Sequence, residues 1–247
     1  SILASYRKIH LFDVNIPDGA RYAESETVLP GDRPVVAAPA GMALGGGAEI
    51  CLGADRVRAA AETYMGLVEV GVGLLPAGGG LKEMAVRHLE GIPEGVSADP
   101  LPVLRKAFET VGMAKVSSSA KEARELGFLR PWDRITIQRD FLIQDAKNTV
   151  LAMNREGYET PRPRTDIALP GRSAFPAFAY GLYTMRAAGQ ISEHDEKIGR
   201  KIARVLTGGD VPPGTRLSEQ DLLDMEREAF LSLCGEEKTQ ARIQFRL

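Results

Sequence analysis

The residues best suited to chemistry in this sequence are two isolated carboxylates and a run of bare backbone. Gly45, Gly46 and Gly47 stand together between an apolar run and a helix-like run, and Glu49 follows three residues after Gly46. Glu69, twenty residues beyond Glu49, is the only charge from Tyr64 to Gly80. Glycine lets a substrate approach the backbone closely, because no Cβ intervenes. A helix N-terminus adds unsatisfied N–H groups and a favourable dipole. Together these features fit an oxyanion hole, whose individual donors contribute about 3 to 4 kcal/mol to the stabilisation of a developing negative charge. Two glutamates beside such a hole suggest addition of water across an activated double bond. One carboxylate deprotonates the water and the other delivers a proton to the neighbouring carbon.

Other readings of the same residues fit less well or stay open. A phosphate-binding P-loop needs G-x-x-x-x-G-K-[ST], and neither triple-glycine run, Gly45–Gly47 or Gly78–Gly80, is followed directly by Lys and then Ser or Thr. A dinucleotide turn needs G-x-G-x-x-G, which "GVGLLP" misses at its last position and "GMALGG" at its third. A tight strand-to-helix turn packed in a core accounts for the glycines without chemistry. Glu49 could be a carboxylate favoured by the helix dipole alone. Its apolar neighbours Ala48, Ile50, Cys51 and Leu52 argue for partial burial and a pKa raised toward acid–base use. Arg56 and Arg58 are possible structural partners for the two glutamates.

The bulk composition excludes several function classes. In 247 residues, 44% are hydrophobic and 26% charged, with a net charge of −2, the balance of a soluble globular protein. Mixed signs throughout leave no basic stripe for nucleic acid and no polybasic segment for a membrane. No run approaches the length of a transmembrane helix, and the first residues lack a signal-peptide plan. Two cysteines, Cys51 and Cys234, make no disulfide framework or zinc motif; both sit in helix-like apolar runs and are expected to be buried thiols in a cytoplasmic chain. His10, His88 and His194 are scattered without ligand spacing, so no metal is expected, and each reads as a surface or capping residue.

The elements that must position Glu49 and Glu69 follow from periodicity. Residues 1–32 hold one possible strand, "KIHLFDVNI", and a turn-rich stretch. Val35–Ala38 predicts a buried strand, "GGAEICLGA" a short buried helix and "DRVRAAA" a second strand. "TYMGLVEV" leads through Gly78–Gly80 into a helix with Leu81, Met84, Ala85 and Leu89 on one face. One device is thus used twice: apolar strand, glycine-rich turn, helix. Two helices are expected in 103–129, the second starting near Ser118 or Ser119 and stopping at Gly127, and another in "DFLIQDAKNTVLAMNREG". Residues 157–176, with Pro161, Pro163, Pro170 and Pro176, read as an extended linker and a boundary. Beyond it, Ser192-x-x-Asp195 and Ser218-x-x-Asp221 predict capping boxes opening two long helices.

The stretch "RPVVAAPAGMALGGGAEICLGADRVRAAAETYMGLVEVGVGLLPAGGG" resembles the signature region of the crotonase, or enoyl-CoA hydratase, superfamily. Later stretches, including "ISEHDEKIGRKIARVL", resemble the C-terminal hydratase part of bacterial 3-hydroxyacyl-CoA dehydrogenase/enoyl-CoA hydratase fusion proteins. The resemblance implies an α/β fold, a ClpP/crotonase spiral of β-β-α units, with a helical C-terminal region. It divides the chain into an unassigned segment 1–32, a core 33–156, the Pro-rich linker 157–176 and a helical region 177–247.

It also implies Glu49 as the water-activating base, Glu69 as proton donor and the Gly46 N–H as oxyanion donor. Met42, Leu44, Gly45, Gly47, Pro76 and Gly78 are then expected to line the substrate site. The implied reaction is hydration of a trans-2-enoyl-CoA in fatty-acid β-oxidation. Coenzyme A is needed only as part of the substrate thioester, with no separate cofactor, no nucleic acid and no membrane partner. A trimer-based homo-oligomer is implied. The family's front half, with a second oxyanion N–H in an A-G-x-D-like loop and much of the coenzyme A site, has no counterpart before Arg33, so the N-terminal part of the fold is expected to be incomplete. An enoyl-CoA isomerase of the same superfamily, or a non-catalytic interaction domain, are the alternatives.

Overall fold

The computed structural model describes residues 11–12, 33–92 and 98–246. The expected strand "KIHLFDVNI" lies outside them except for β1 (Leu11–Phe12), as do His10 and the turn-rich residues up to 32. The chain divides into two compact units, one formed by 1–66 with 116–162 and the other by 67–115 with 163–247.

In the first unit, β2 (Val36–Ala37), β4 (Arg56–Ala60) and β6 (Arg134–Thr136) form a parallel ladder, and β1 pairs with β2 antiparallel. The second ladder is β3 (Gly41–Leu44) parallel to β5 (Thr63–Gly66), in register from Gly41 opposite Thr63 to Leu44 opposite Gly66. Helix α1 (Gly46–Leu52) follows β3. Helix α5 (Leu142–Arg155) lies against β2 and β4. Its Leu142, Ala146 and Val150 join Val36, Ala38, Ala40 and Ala60 in one buried cluster. The small residues on the strands let the helix approach the sheet, and apolar burial of this kind drives the packing.

Buried polar side chains close the ladder ends. Asp133 is 3% exposed; its carboxylate accepts the amides of Val57 and Arg130, both at 2.7 Å. Ser117 exchanges hydrogen bonds with the Met65 backbone: its hydroxyl accepts the Met65 amide at 2.9 Å and its own amide reaches the Met65 carbonyl at 2.8 Å. Helix α4 (Ala120–Glu125) starts where expected, with the Ser119 hydroxyl accepting the Glu122 amide at 3.2 Å.

The second unit is built around α7 (Glu193–Thr207), which touches α2 (Gly80–Leu89), α3 (Leu101–Gly112), α6 (Phe175–Ala187) and α8 (Glu219–Cys234). Ile198, Ile202 and Val205 of α7 are buried, as their spacing predicts. Both expected capping boxes form, at Ser192 with Asp195 and at Ser218 with Asp221. Phe108 and Phe178 meet with ring centroids 5.1 Å apart. The last described element is α9 (Glu237–Arg246).

Several expectations are corrected. Residues 157–176 are not simply an extended linker: β7 (Ile167–Ala168) pairs antiparallel with β8 (Arg216–Leu217), and Ile167 and Leu169 are buried. The cause is local pairing, reinforced by the Arg164 amide donating to the Glu219 carboxylate at 3.0 Å and the Glu219 amide returning to the Arg164 carbonyl at 2.9 Å. The region 177–247 therefore carries a strand, and α6 begins at Phe175. Residues 67–115, expected to form one core with 33–66, pack with 163–247. Cys51 is buried, but Cys234, near the end of α8, is only half-buried. His194 is no surface residue: it is 3% exposed, with Nε2 at 2.9 Å from Thr239 Oγ1.

Candidate active site

The first part of the site is the β3–α1 junction in the first unit. Gly45 precedes α1 with φ 56° and ψ −130°, a conformation open only to a residue without Cβ. Its carbonyl accepts the amides of Ala48 at 2.8 Å and Glu49 at 3.1 Å, so the helix starts immediately. The amides of Gly46 and Gly47 have no hydrogen-bond partner among the described residues. These are the leading amides of a helix, whose donors are left without intrahelical acceptors.

Glu49 sits in the first turn, half-buried, with its carbonyl accepting the Gly53 amide at 3.0 Å. The two arginines expected as possible partners, Arg56 and Arg58, make other bonds. Arg58 donates to Asp145 and Thr136, both at 2.7 Å, and Arg56 donates to the Asp55 carbonyl at 2.8 Å and lies over the Trp132 ring. Hydrogen bonding from Thr136, with Arg58 beside it, holds the Asp145 carboxyl below the usual carboxylate range.

The expected site residues of this unit cluster by chain position. Met42 and Leu44 lie on β3, Gly45 joins it to α1, and Gly46, Gly47 and Glu49 open the helix. Met42 is exposed and Gly47 buried, while Leu44, Gly45 and Gly46 are half-buried.

The second part lies in the other unit. Glu69 opens a 3₁₀ turn, Glu69–Val72, three residues after β5 ends at Gly66. The residue is half-buried and its Oε2 is shielded from solvent. The turn closes through Gly71 N–H to Val68 O, Gly73 N–H to Val70 O and Leu74 N–H to Glu69 O, each at 3.0 Å. Beyond it, Pro76 is buried and Gly78 exposed, ahead of α2. Glu69, Pro76 and Gly78 thus belong to one unit, and Glu49 with the glycines to the other. Sequence reasoning missed Thr239 and Glu226, two buried polar residues that bond the backbone of 73–82; both sit in charged helical stretches that read as solvent-facing.

The comparisons with known proteins bear on both ends of the chain. A family model described as carbon-nitrogen hydrolase matches residues 1–57. A deaminated glutathione amidase of Synechocystis sp. is 61% identical over 31 residues, 13% of this chain and 11% of that protein. Over most of its length the chain is similar to a probable 3-hydroxyacyl-CoA dehydrogenase of Bacillus subtilis, 49% identical over 215 residues. That match covers 87% of this chain but 26% of the Bacillus subtilis protein, so the chain spans about a quarter of its relative's length. Among solved structures, a carnitinyl-CoA dehydratase from Mycobacterium avium is 20% identical, with a TM-score of 0.48, covering 85% of this chain and 59% of that one. The described residues form a mixed α/β fold with a largely helical C-terminal region. Among the described residues no helix is long and apolar enough to cross a membrane.

Proposed function

We propose that this chain, which resembles the crotonase superfamily and matches part of a longer 3-hydroxyacyl-CoA dehydrogenase relative, carries the residues of an enoyl-CoA hydratase, adding water to a trans-2-enoyl-CoA to give a 3-hydroxyacyl-CoA in fatty-acid oxidation. One observation carries the reading. The Gly46 amide opens α1 with no acceptor among the described residues, and Glu49 stands in the same first turn. An unsatisfied amide needs an acceptor, and a thioester oxygen gaining negative charge is a good one.

The chemistry then follows from the groups present. Glu49 takes a proton from water as the water oxygen bonds to C3 of the enoyl thioester. The double-bond electrons move toward the carbonyl oxygen, whose charge the Gly46 N–H stabilises. Glu69 gives a proton to C2, restoring the thioester carbonyl. Glu49 then releases its proton to solvent and Glu69 takes one up, which restores the starting protonation of both. In this reading substrate binding falls to Met42, Leu44, Gly45, Gly47, Pro76 and Gly78. Coenzyme A enters only as part of the thioester, and the working form is a trimer-based homo-oligomer.

The test is hydration of crotonyl-CoA, followed by loss of the enoyl-thioester absorbance, for wild type, Glu49→Gln and Glu69→Gln. General acid–base groups contribute about 10²–10⁴-fold each, so each variant should fall by that much. Equal inertness of wild type and both variants contradicts a catalytic role for this chain and favours a non-catalytic interaction domain.

A further inference from the structure

The segment that follows Glu69 is held at both ends by the helical C-terminal region. At one end Thr239 of α9, fully buried, donates its hydroxyl hydrogen to the Gly73 carbonyl at 2.8 Å. A carbonyl can only accept, so that hydrogen is committed, and the 2.9 Å contact with His194 has the imidazole Nε2–H as its donor. A chain of hydrogen bonds therefore runs from His194 through Thr239 to Gly73. Gly73 ends the Glu69 turn with φ 86°, and a Cβ there would lie 3.0 Å from the Thr239 Cα. The two backbones are in direct contact.

At the other end Glu226 of α8, also fully buried, accepts the Gly79 amide at 3.0 Å and the Lys82 amide. Helix α2 has no capping side chain of its own, because its N-cap is Gly79. Glu226 supplies that cap from a distant helix, through charge-assisted bonds that are among the stronger kinds. The Lys82 ammonium in turn reaches Glu219 of α8 at 2.9 Å.

We infer that Thr239 and Glu226 are positioning residues for the Glu69 turn, with α8 and α9 clamping Gly73 and Gly79 and so fixing the segment that carries Glu69 and Pro76. The role of Glu69 in this inference rests on the hydratase reading. Helices that only filled space would present apolar side chains here. Instead three buried polar groups direct hydrogen bonds to this segment's backbone, His194 through Thr239 at Gly73 and Glu226 at Gly79 and Lys82, and buried polar groups are costly unless so bonded.

The test compares the full chain with Thr239→Val, Thr239→Ser and Glu226→Gln, by amide hydrogen exchange and by crotonyl-CoA hydration. Loss of the Thr239 hydroxyl should speed exchange at Gly71, Gly73 and Leu74 by about tenfold, leave β4 and α5 unchanged, and be reversed in Thr239→Ser. Glu226→Gln should speed exchange at Gly79 and Lys82 in the same way. In hydration, kcat should fall by about tenfold while KM stays within about twofold. Wild-type exchange at all five amides in both Thr239→Val and Glu226→Gln overturns the proposal, as does a fall in kcat that Thr239→Ser fails to restore. If wild type hydrates nothing, the hydratase reading falls, and the exchange rates alone decide whether the clamp exists. Should Thr239→Val lose protection in β4 and α5 as well, Glu226→Gln decides by its own exchange pattern.

Discussion

The Gly45 amide donates to the Gly66 carbonyl at 2.8 Å. This bond closes the last pair of the parallel β3–β5 ladder, Leu44 opposite Gly66, and fixes the point at which the chain turns into α1. The turn needs φ 56° and ψ −130° at Gly45, a region barred to residues with a Cβ. Gly45→Ala should therefore cost about 1–3 kcal/mol of stability, read as a lower denaturant midpoint with an unchanged slope. Loss of nothing measurable would mean that the junction relaxes freely, which a site built on the adjacent amide could not tolerate.

The capping boxes give a cleaner measure of the second unit. Ser192 accepts the Asp195 amide at 3.1 Å, and Asp195 accepts the Ser192 amide at 3.0 Å and pairs with Arg242 of α9 at 2.7 Å. Ser192→Ala removes the cap of α7, the helix at the centre of this unit, and should cost about 1 kcal/mol. Ser218→Ala should act similarly on α8. Thermal denaturation of the two single variants checks both.

Tyr158 should titrate late. Its hydroxyl donates to Asp55 at 3.0 Å, and burial together with that carboxylate pushes its pKa up to about 12. Above about pH 10 the unfolded chain ionises this phenol while the folded chain holds the proton, so stability falls as pH rises from about 10 to 12. Ultraviolet titration of phenolate should show one tyrosine ionising late in wild type and absent in Tyr158→Phe.

His194 should make the fold sensitive to mild acid. Burial first, then the Arg242 and Lys238 cations, hold its pKa below the ordinary histidine value, against the opposing pull of Glu236 and Asp195. At pH above about 6.5 the ring is neutral in both states and nothing is lost. As pH falls below that, the unfolded chain takes up a proton that the folded chain resists, so stability declines. His88, also lowered by burial, adds a term of the same sign. Denaturation midpoints at pH 7.5 and 5.5 should differ more in wild type than in His194→Gln, and an equal difference would refute the assignment.

What the sequence shows and what it hides follow physical lines. The caps at Ser119, Ser192 and Ser218 are legible because a cap is written in four adjacent residues. The two glycine-to-helix turns are legible because glycine runs interrupt clear apolar periodicity, but β3 (Gly41–Leu44), which runs into the first of them, is not among the expected strands, being four residues long and hidden beside the glycines. Glu49 and Glu69 stand out because each is a charge among apolar neighbours. Glu226 does not: in "DLLDMEREAF" it is one carboxylate among several, and only its long-range bonds to Gly79 and Lys82 distinguish it. His194 in "SEHDEK" is hidden for the same reason. The β7–β8 pair joins two-residue strands nearly fifty residues apart, too short to show a period. The carbon-nitrogen hydrolase match at 1–57 was also missed, since its signal is a particular string of residues and not a pattern of apolar spacing.

The most direct measurement of the central claim is the fate of hydrogen and oxygen on crotonyl-CoA incubated with the chain in deuterium oxide. Wild type should form a 3-hydroxyacyl-CoA with one deuterium at C2 and a hydroxyl from solvent at C3, and its formation should be reduced by about 10²–10⁴-fold in Glu49→Gln and in Glu69→Gln. Deuterium entering an enoyl-CoA that gains no oxygen, as an isomerase would give, or a product formed equally well by both variants, would contradict it.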